Sequence, residues 1–385
     1  MSDNNKKCPG DLSMSACNQS ALADNGSIKL ARRDFLAGMG IAAAALLRAP
    51  DVLATEKAVF DKPAKVAGRK NLSGVIDVHH HILPPGAPEA LQHHMAHWSA
   101  SRAIDEMDKT GVEIGIAYPG PILEGDNQQK SSSARIWNEF GASLGQSHSQ
   151  RFGLFASLPF PHVNACLAEI DFALDHLGAD GFGISTSYDD LWLGDESLWP
   201  IYEKLNSRAA VVFVHPHNCS ACIPGSVSYN RGDMGGSWIE WPMNTARTIM
   251  SLMTSGTLRR YPRIRFIFAH GGGVMPLLIN RVAAFTHWEA VGEAGLKSIF
   301  PNGIEHEFKT LHFECAQACS VTHMAALRSL VPDTNILFGS DYPFFPLSYG
   351  TEQLAQLDLP MLSLRAIARD NALRLFPAST VAKLA

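Results

Sequence analysis

Short apolar runs alternate with longer amphipathic stretches from Gly74 to the end of the chain. Eight of these runs are rich in β-branched and aromatic residues, and we predict strands at residues 75–78, 114–118, 152–158, 181–185, 211–214, 264–268, 311–313 and 336–338. The stretches between them repeat apolar residues every three or four positions, which predicts helices at residues 100–110, 131–148, 164–177, 198–208, 243–260 and 322–330. No long linker rich in Pro, Gly or Ser interrupts this sequence pattern, so it indicates a single domain.

Eight strands with helices between them predict an α/β protein of the distorted (β/α)8 TIM barrel type over residues 74–385. The alternative is a doubly wound open sheet, which favours a glycine-rich phosphate loop after the first strand. The chain has His79-His80-His81 at that place instead. In a barrel of this type the catalytic groups lie at the C-terminal ends of the strands, so the residues that end each strand are the candidates for chemistry.

Residues 1–54 have the order of a twin-arginine export signal. A polar stretch leads into Arg32 and Arg33, then into an apolar run at residues 38–47 that is short for a membrane span, then into the cleavage-compatible residues 52–54. We therefore expect the twin-arginine machinery as a partner and a periplasmic location, with residues 55–73 as a linker. A buried alanine-rich helix and an uncleaved anchor are the alternatives. An unprocessed protein would be cytoplasmic or membrane-anchored.

The composition excludes some classes of protein. A chain of 385 residues with 46% hydrophobic and 18% charged residues can bury a large core, and a net charge of −5 offers no basic surface for nucleic acid. Five cysteines remain outside the predicted signal, and an odd number argues against a complete disulfide framework. Cys219 and Cys222 could form a local disulfide, but thiols are the preferred interpretation.

Four of the predicted strands end in groups that bind metals or move protons. These groups are His79-His80-His81, His215, His270 and Asp341. Residues two apart on a strand project to the same side, so His79 and His81 can reach one ion while His80 faces away. His215 would add a third imidazole and Asp341 a carboxylate. This set suits one divalent metal ion, zinc above all, with manganese or iron as alternatives.

His270 precedes three consecutive glycines, which let the backbone bend tightly and approach a ligand closely. Because four ligands are already available, we predict that His270 is the general acid/base and that the nearby cation keeps it neutral. A structural histidine bonded to a carbonyl group is the alternative. The histidines without a strand-end position are expected on the surface or in loops, and these are His93, His94, His97 and His217.

Two tryptophans, Trp238 and Trp241, are predicted in the loop that follows the fifth strand. An aromatic substrate could lie against Trp238, although a packing role is the more common one for tryptophan at such a place. Arg281 is predicted on the helix that follows His270, where a solvated arginine is the default interpretation.

Four segments, in the order in which they follow one another along the chain, resemble one known family. They are IDVHHHILPP at residues 76–85, VFVHP at 212–216, FAHGGGVMP at 268–276 and FGSDYPF at 338–344. Together they are similar to the amidohydrolase superfamily, in the branch of aminocarboxymuconate-semialdehyde decarboxylase. The resemblance runs from about Gly74 to Phe376, and residues 181–188 and 192–195 are similar to members described as 6-methylsalicylate decarboxylases.

The resemblance implies a barrel with one metal ion. It places the metal ligands at His79, His81, His215 and Asp341, the catalytic histidine at His270 and a loop tryptophan at Trp238. It also implies that Arg281 of a neighbouring subunit binds a substrate carboxylate, and hence a homodimer or a higher homo-oligomer. The segment between Pro85 and Trp98 lacks the arginine that the name-giving decarboxylase of the branch uses for its second carboxylate, so a monocarboxylate is the expected substrate.

The expected function is the metal-dependent, non-oxidative loss of CO2 from a small hydroxylated aromatic acid such as a 6-methylsalicylate-like compound. This reaction needs a cation that holds the carboxylate and an acid, Asp341 or His270, that protonates the ring carbon. The alternative is a hydrolase of a lactone or an amide, which would use the same residues. A third hypothesis is a periplasmic protein that binds metal or ligand without turnover.

Overall fold

The computed structural model describes residues 72–148, 150–217 and 234–376, all of which belong to one compact unit, Val66–Ala385. The predicted export signal, most of the predicted linker and the pair Cys219 and Cys222 lie outside the described residues. Within the described part of the chain, no helix is both long enough and apolar enough to cross a membrane.

Eight parallel strands form a barrel wall, which confirms the predicted fold. The strands of the described residues are Val75–His81 (β1), Val112–Tyr118 (β2), Phe152–Ser157 (β3), Gly181–Ser185 (β4), Ser187–Tyr188 (β5), Leu191–Trp192 (β6), Val211–His215 (β7), Arg265–Phe268 (β8), His312–Glu314 (β9) and Ile336–Leu337 (β10). The barrel strands pair in the order β1-β2-β3-β4-β7-β8-β9-β10. The antiparallel pair β5 and β6 was not predicted, because two-residue strands carry no periodic pattern.

Helices cover the outside of the barrel; five of the predicted helices are present as single helices, and the one predicted at residues 243–260 is divided at Ser255 and Gly256. The α-helices of the described residues are Glu89–His94 (α1), Ala100–Thr110 (α2), Asn127–Ser147 (α3), Val163–Asp175 (α4), Trp199–Ser207 (α5), Met234–Thr254 (α6), Thr257–Arg260 (α7), Met275–Ala283 (α8), Gly292–Ile299 (α9), Ile304–Phe308 (α10), Val321–Leu330 (α11), Leu347–Gln356 (α12), Met361–Arg365 (α13) and Asn371–Leu375 (α14).

The prediction of a loop around Trp238 and Trp241 was wrong, because both residues lie inside α6. The local sequence disfavours a helix there, because two adjacent glycines precede Trp238 and because Pro242 removes a backbone donor from the helix interior. In the structure the helix continues through Pro242, whose carbonyl accepts a hydrogen bond from the backbone N–H of Val274. Packing against the segment after β8 therefore stabilises a helix that the local sequence disfavours.

Side chains alternate between two hydrophobic clusters on the two faces of the barrel wall. On β7, Val212 and Val214 pack outward among helix residues, whereas Val211 and Phe213 pack in the barrel interior. The same alternation turns His215, the last residue of β7, into the interior at the C-terminal mouth.

A register shift in β1 decides which histidines face the barrel interior. Between Asp77 and His80, β1 carries one residue more than the facing segment of β2, as in a β-bulge. Strict alternation from Ile76, which packs in the interior cluster, would have turned His80 inward. Because of the extra residue, His79 and His81 face the interior instead.

The barrel closes between β1 and the segment that follows β10. The N–H of Val78 donates to the Phe338 carbonyl at 3.0 Å, and the N–H of His81 donates to the Tyr342 carbonyl at 2.7 Å. Between these two bonds, the N–H of Asp341 donates to the His79 carbonyl at 2.9 Å.

Asp77 is the buried carboxylate at this closure. Its Oδ1 accepts the backbone N–H groups of His79 at 3.1 Å and Ser340 at 2.9 Å. Its Oδ2 accepts the Ser340 hydroxyl at 2.6 Å and lies 3.0 Å from Nδ1 of His80. One carboxylate therefore satisfies donors on both sides of the barrel closure, and removing its charge leaves several of them without a good acceptor.

We expect Asp77→Asn to lower the free energy of unfolding by about 3 kcal/mol, because the amide group turns a donor towards buried donors. Chemical denaturation followed by circular dichroism measures the change. The control is Asp105→Asn on the exposed side of α2, which is expected to change the free energy by less than about 0.5 kcal/mol. Equal denaturation midpoints for the two variants would contradict this account of the closure.

Candidate metal centre

Four potential ligands meet at the C-terminal mouth of the barrel. His79 and His81 end β1, His215 ends β7, and Asp341 follows β10. Asp341 has a left-handed backbone with φ of 62°, which is uncommon for a residue with a side chain. Its hydrogen bond to the His79 carbonyl holds this conformation and turns its carboxylate towards the histidines.

The four side chains converge on one point. One ligand atom from each residue lies within 4.8 Å of the others, and all four residues are buried. The Nε2 atoms of His79 and His81 are 3.0 Å apart, and Oδ1 of Asp341 lies 3.2 Å from both. Nε2 of His215 and Oδ1 of Asp341 are buried without a hydrogen-bond partner. Buried polar atoms that share one point and lack partners fit a divalent cation between them.

The electrostatics of this cluster favour a positive charge at its centre. Burial alone would lower the pKa of His79, but the carboxylates of Glu314 and Asp341 outweigh it and raise this pKa to about 10. Burial and the neighbouring imidazoles lower the pKa of His215 well below its usual range. Burial would raise the pKa of Asp341, but the charge of His79 and the nearby His270 ring hold it well below its usual range. His215 is therefore neutral and Asp341 charged, as metal binding requires.

His270 lies beside this cluster, nearer to solvent. Its Nε2 is 3.6 Å from Oδ2 of Asp341, and 15% of its side chain is exposed. The centre of its ring is 5.2 Å from that of His79 and 5.8 Å from that of His215. Because it contacts the buried carboxylate on one side and the opening on the other, His270 can move a proton to or from a molecule at the mouth.

Glu314, the last residue of β9, is a site residue that the sequence analysis missed. Its Oε1 lies 2.8 Å from Nδ1 of His79 and accepts the backbone N–H of His270 at 2.6 Å. Its Oε2 accepts the N–H of Ala316 at 2.6 Å. The predicted strand ended at residue 313, so this carboxylate was not recognised as a strand end. The signal was an acidic residue directly after an apolar run.

Gly339 provides the space that Glu314 occupies. A Cβ atom at this position would overlap Oε2 of Glu314 and come within 2.9 Å of the Cβ of His79. Ligand atoms of His79, His270 and Glu314 also come together closely. Oε1 of Glu314 already accepts hydrogen bonds from both histidines, however, so this second group acts as a support behind the first cluster.

His80 faces away from the cluster, as the sequence predicts. Its Nδ1 is 3.0 Å from the Asp77 carboxylate, and its ring stacks on Tyr342 at a centroid distance of 4.9 Å. A Cβ atom at Gly115 would lie 2.9 Å from the His80 ring, so the missing side chain at Gly115 leaves room for it. His80 therefore belongs to the barrel closure.

The other histidines considered in the sequence lie outside the cluster. Those in and near α1 are exposed, and they are His93, His94 and His97. His217 follows β7 and is half-buried, with its carbonyl accepting a hydrogen bond from the Asn244 side chain at 2.7 Å. These positions agree with the prediction of surface and loop residues.

The two tryptophans of α6 differ in their surroundings. The ring of Trp241 is 5.8 Å from that of His215, whereas Trp238 is 60% exposed. Residues three apart share one face of a helix, so both indoles lie on the same side of α6. Trp241, which the sequence analysis did not single out, is thus the indole beside the ligands. Arg281 lies on α8 and is exposed.

Two known proteins with similar sequences are named decarboxylases. The chain is 31% identical over 325 residues to decarboxylase yanB of Aspergillus niger, an alignment that covers 78% of this chain and 87% of the relative. It is also 31% identical over 319 residues to the 6-methylsalicylic acid decarboxylase of Penicillium expansum, covering 78% of this chain and 96% of the relative.

A solved structure has the same fold. The 5-carboxyvanillate decarboxylase of Novosphingobium aromaticivorans, complexed with manganese and 4-hydroxy-3-methoxy-5-nitrobenzoic acid, matches with a TM-score of 0.69 at 16% identity. The match covers 80% of this chain and 97% of that chain. The model of the family described as amidohydrolase matches residues 76–378, which include every barrel strand except the first residue of β1, and every candidate ligand. The chain therefore belongs to the amidohydrolase family.

Proposed function

We propose that this protein is a metal-dependent, non-oxidative decarboxylase, a carboxy-lyase, of a small hydroxylated aromatic carboxylic acid such as a 6-methylsalicylate-like compound. The observation that carries the proposal is the position of His270 at the opening of the buried cluster formed by His79, His81, His215 and Asp341. The 6-methylsalicylic acid decarboxylase of Penicillium expansum, similar over 96% of its length, supports the substrate class.

The cluster is proposed to hold one divalent metal ion, with zinc as the first choice. Three imidazole nitrogens and one carboxylate oxygen are a donor set that suits zinc, and the manganese of the carboxyvanillate decarboxylase supports manganese as the second choice. When bound, the ion would supply the positive charge that holds the substrate's carboxylate and ring hydroxyl.

His270 has the role of proton carrier in this proposal. Loss of CO2 requires a proton on the ring carbon that bears the carboxylate; the carbon–carbon bond then breaks, and its electron pair restores the aromatic ring. Asp341 keeps its negative charge in this proposal, because a carboxylate binds a metal ion in its deprotonated form. His270 therefore takes up a proton from the solvent side of the opening and delivers it from Nε2 to the ring carbon, while Asp341 orients the imidazole from 3.6 Å away.

Trp238 and Arg281 are the proposed substrate contacts outside the cluster. The face of α6 that carries Trp241 beside His215 also carries Trp238, and an aromatic ring at the mouth could lie against it. Arg281 is exposed on α8, which leaves its side chain available to a neighbouring copy. A homodimer or higher homo-oligomer in which Arg281 binds the carboxylate of a neighbour's substrate is part of the proposal.

Export to the periplasm by the twin-arginine machinery is also proposed. Its support is the order of features in residues 1–54, with Arg32 and Arg33 ahead of the apolar run. This route carries folded proteins, which suits an enzyme whose buried ligands must take up a metal ion before export.

His215→Ala is expected to lose most of its bound metal, because one of four ligands disappears from a buried site. Elemental analysis by mass spectrometry of dialysed protein measures the content, with about one ion per chain expected for the wild type. His94→Ala removes an exposed imidazole from α1 and is expected to keep the wild-type content. Full metal retention in folded His215→Ala would count against the ligand set.

The wild type is expected to release CO2 from 6-methylsalicylate or a related hydroxybenzoate. His270→Asn is expected to lower kcat by about 10²- to 10⁴-fold with unchanged metal content, because the proton carrier is lost. Chromatography of the substrates and CO2 capture measure the reaction, and His97→Asn, an exposed site, is the control. Ring opening of lactones or hydrolysis of amides without any CO2 release would establish the hydrolase instead. Metal binding without turnover of any substrate would indicate a binding protein.

Replacement of Arg32 and Arg33 together by lysine is expected to keep the protein in the cytoplasm, because the export machinery distinguishes arginine from lysine at this pair. Fractionation of cells followed by immunoblotting measures the distribution. Arg48→Lys makes the same change at the end of the apolar run and should leave export unchanged. Periplasmic protein in the double variant would show that the pair is not an export signal.

A further inference from the structure

We infer that Glu314 is a positioning residue that sets the tautomer and ring orientation of His79 and, with the same carboxylate, the backbone of His270. The inference rests on the proposed metal-dependent function, because the tautomer of His79 matters only if its Nε2 faces a metal ion. Neither the family resemblance nor the strand-end pattern assigned any role to this residue.

The contact with His79 defines which nitrogen carries the hydrogen. Nδ1 of His79 lies 2.8 Å from Oε1 of Glu314, and an ionised carboxylate only accepts, so Nδ1 is the donor. When a metal ion replaces the second ring proton of His79, the neutral ring presents a lone pair at Nε2, which is the atom that faces His81 and Asp341. A carboxylate behind a metal-binding imidazole fixes the orientation of the ring and increases its basicity.

The same oxygen connects His79 to His270. Oε1 of Glu314 accepts the backbone N–H of His270 at 2.6 Å, and His270 has a left-handed backbone with φ of 56°. This conformation is uncommon for a residue with a side chain, so it needs support from its surroundings. The bond from Ala316 to Oε2 anchors the carboxylate to its own strand end. Displacement of Glu314 would therefore move the metal-facing imidazole and the proton carrier together.

Burial limits Glu314 to this indirect role. The residue is 0% exposed, so a substrate at the mouth does not reach it. A buried carboxylate is unfavourable unless several donors satisfy it, and the donors that satisfy Glu314 are His79, His270 and Ala316. Gly339 packs directly against the Glu314 carboxylate, because even a Cβ atom at position 339 would overlap Oε2.

Glu314→Gln keeps the shape of the side chain but removes its charge and brings an amide donor towards backbone donors. The matched control is Glu169→Gln in α4, a buried glutamate whose carboxylate accepts hydrogen bonds from Arg135 at 2.9 Å and Asn138 at 2.8 Å. Competition with a chelating dye measures Zn²⁺ affinity. We expect a loss of about 10- to 100-fold in Glu314→Gln and a change below about threefold in Glu169→Gln.

A kinetic measurement separates positioning from general stability. With zinc at saturation, Glu314→Gln is expected to lower kcat about tenfold with little change in KM, because His270 moves while the binding charges stay. Glu169→Gln is expected to leave both constants near the wild-type values.

Nuclear magnetic resonance of the wild type tests the tautomer without a substitution, so the inference stays testable if Glu314→Gln fails to fold. In zinc-loaded protein with ¹⁵N-labelled histidine, His79 is expected to carry its hydrogen on Nδ1 and to bind through Nε2. The opposite arrangement would overturn the inference.

The outcomes for the metal centre and for Glu314 are distinct. A wild type that binds no zinc would remove both the proposed centre and the role of Glu314. A wild type that binds zinc, together with a folded Glu314→Gln variant of equal affinity and equal kcat, would remove the positioning role alone.

Discussion

Three backbone hydrogen bonds join the end of β1 to the segment after β10, and the rest of the site depends on this closure. The segment brings Asp341 to His79 and His81, which would otherwise lie at an open sheet edge. Asp77, buried beneath, satisfies donors from both sides. Because the residues that close the barrel also carry the candidate ligands, the site cannot form before the ring of strands is complete.

Charge compensation is the second constraint at the mouth of the barrel. Asp77, Glu314 and Asp341 are buried carboxylates within a small volume. Such groups remain ionised in a protein interior only where donors or cations surround them. Asp77 and Glu314 receive backbone N–H groups from segments distant in sequence, whereas Asp341 faces imidazoles and keeps an unpartnered Oδ1. Two of the carboxylates therefore stabilise the framework, and the third is left for the cation.

Much of the fold follows from local sequence, because an apolar, β-branched run of four to six residues is a self-contained signal for a buried strand. The bounds predicted for β4, for example, are the observed ones. The ligand set was also predictable, because a barrel brings strand ends to a common mouth. The bulge in β1 and the hydrogen bonds of Glu314 depend on partners far away in the sequence. The first half of α6 depends on packing around Pro242, so no local pattern could reveal it.

Gly339 and Glu314 illustrate how the interior of the site limits the way the chain can change. Any side chain at position 339 would occupy the place of a Glu314 oxygen, so a mutation there is tolerated only after residue 314 has become smaller. A smaller residue at 314 in turn removes the support behind His79. The order of mutations therefore matters, and an evolutionary path that alters either position must pass through a protein with a weakened metal site.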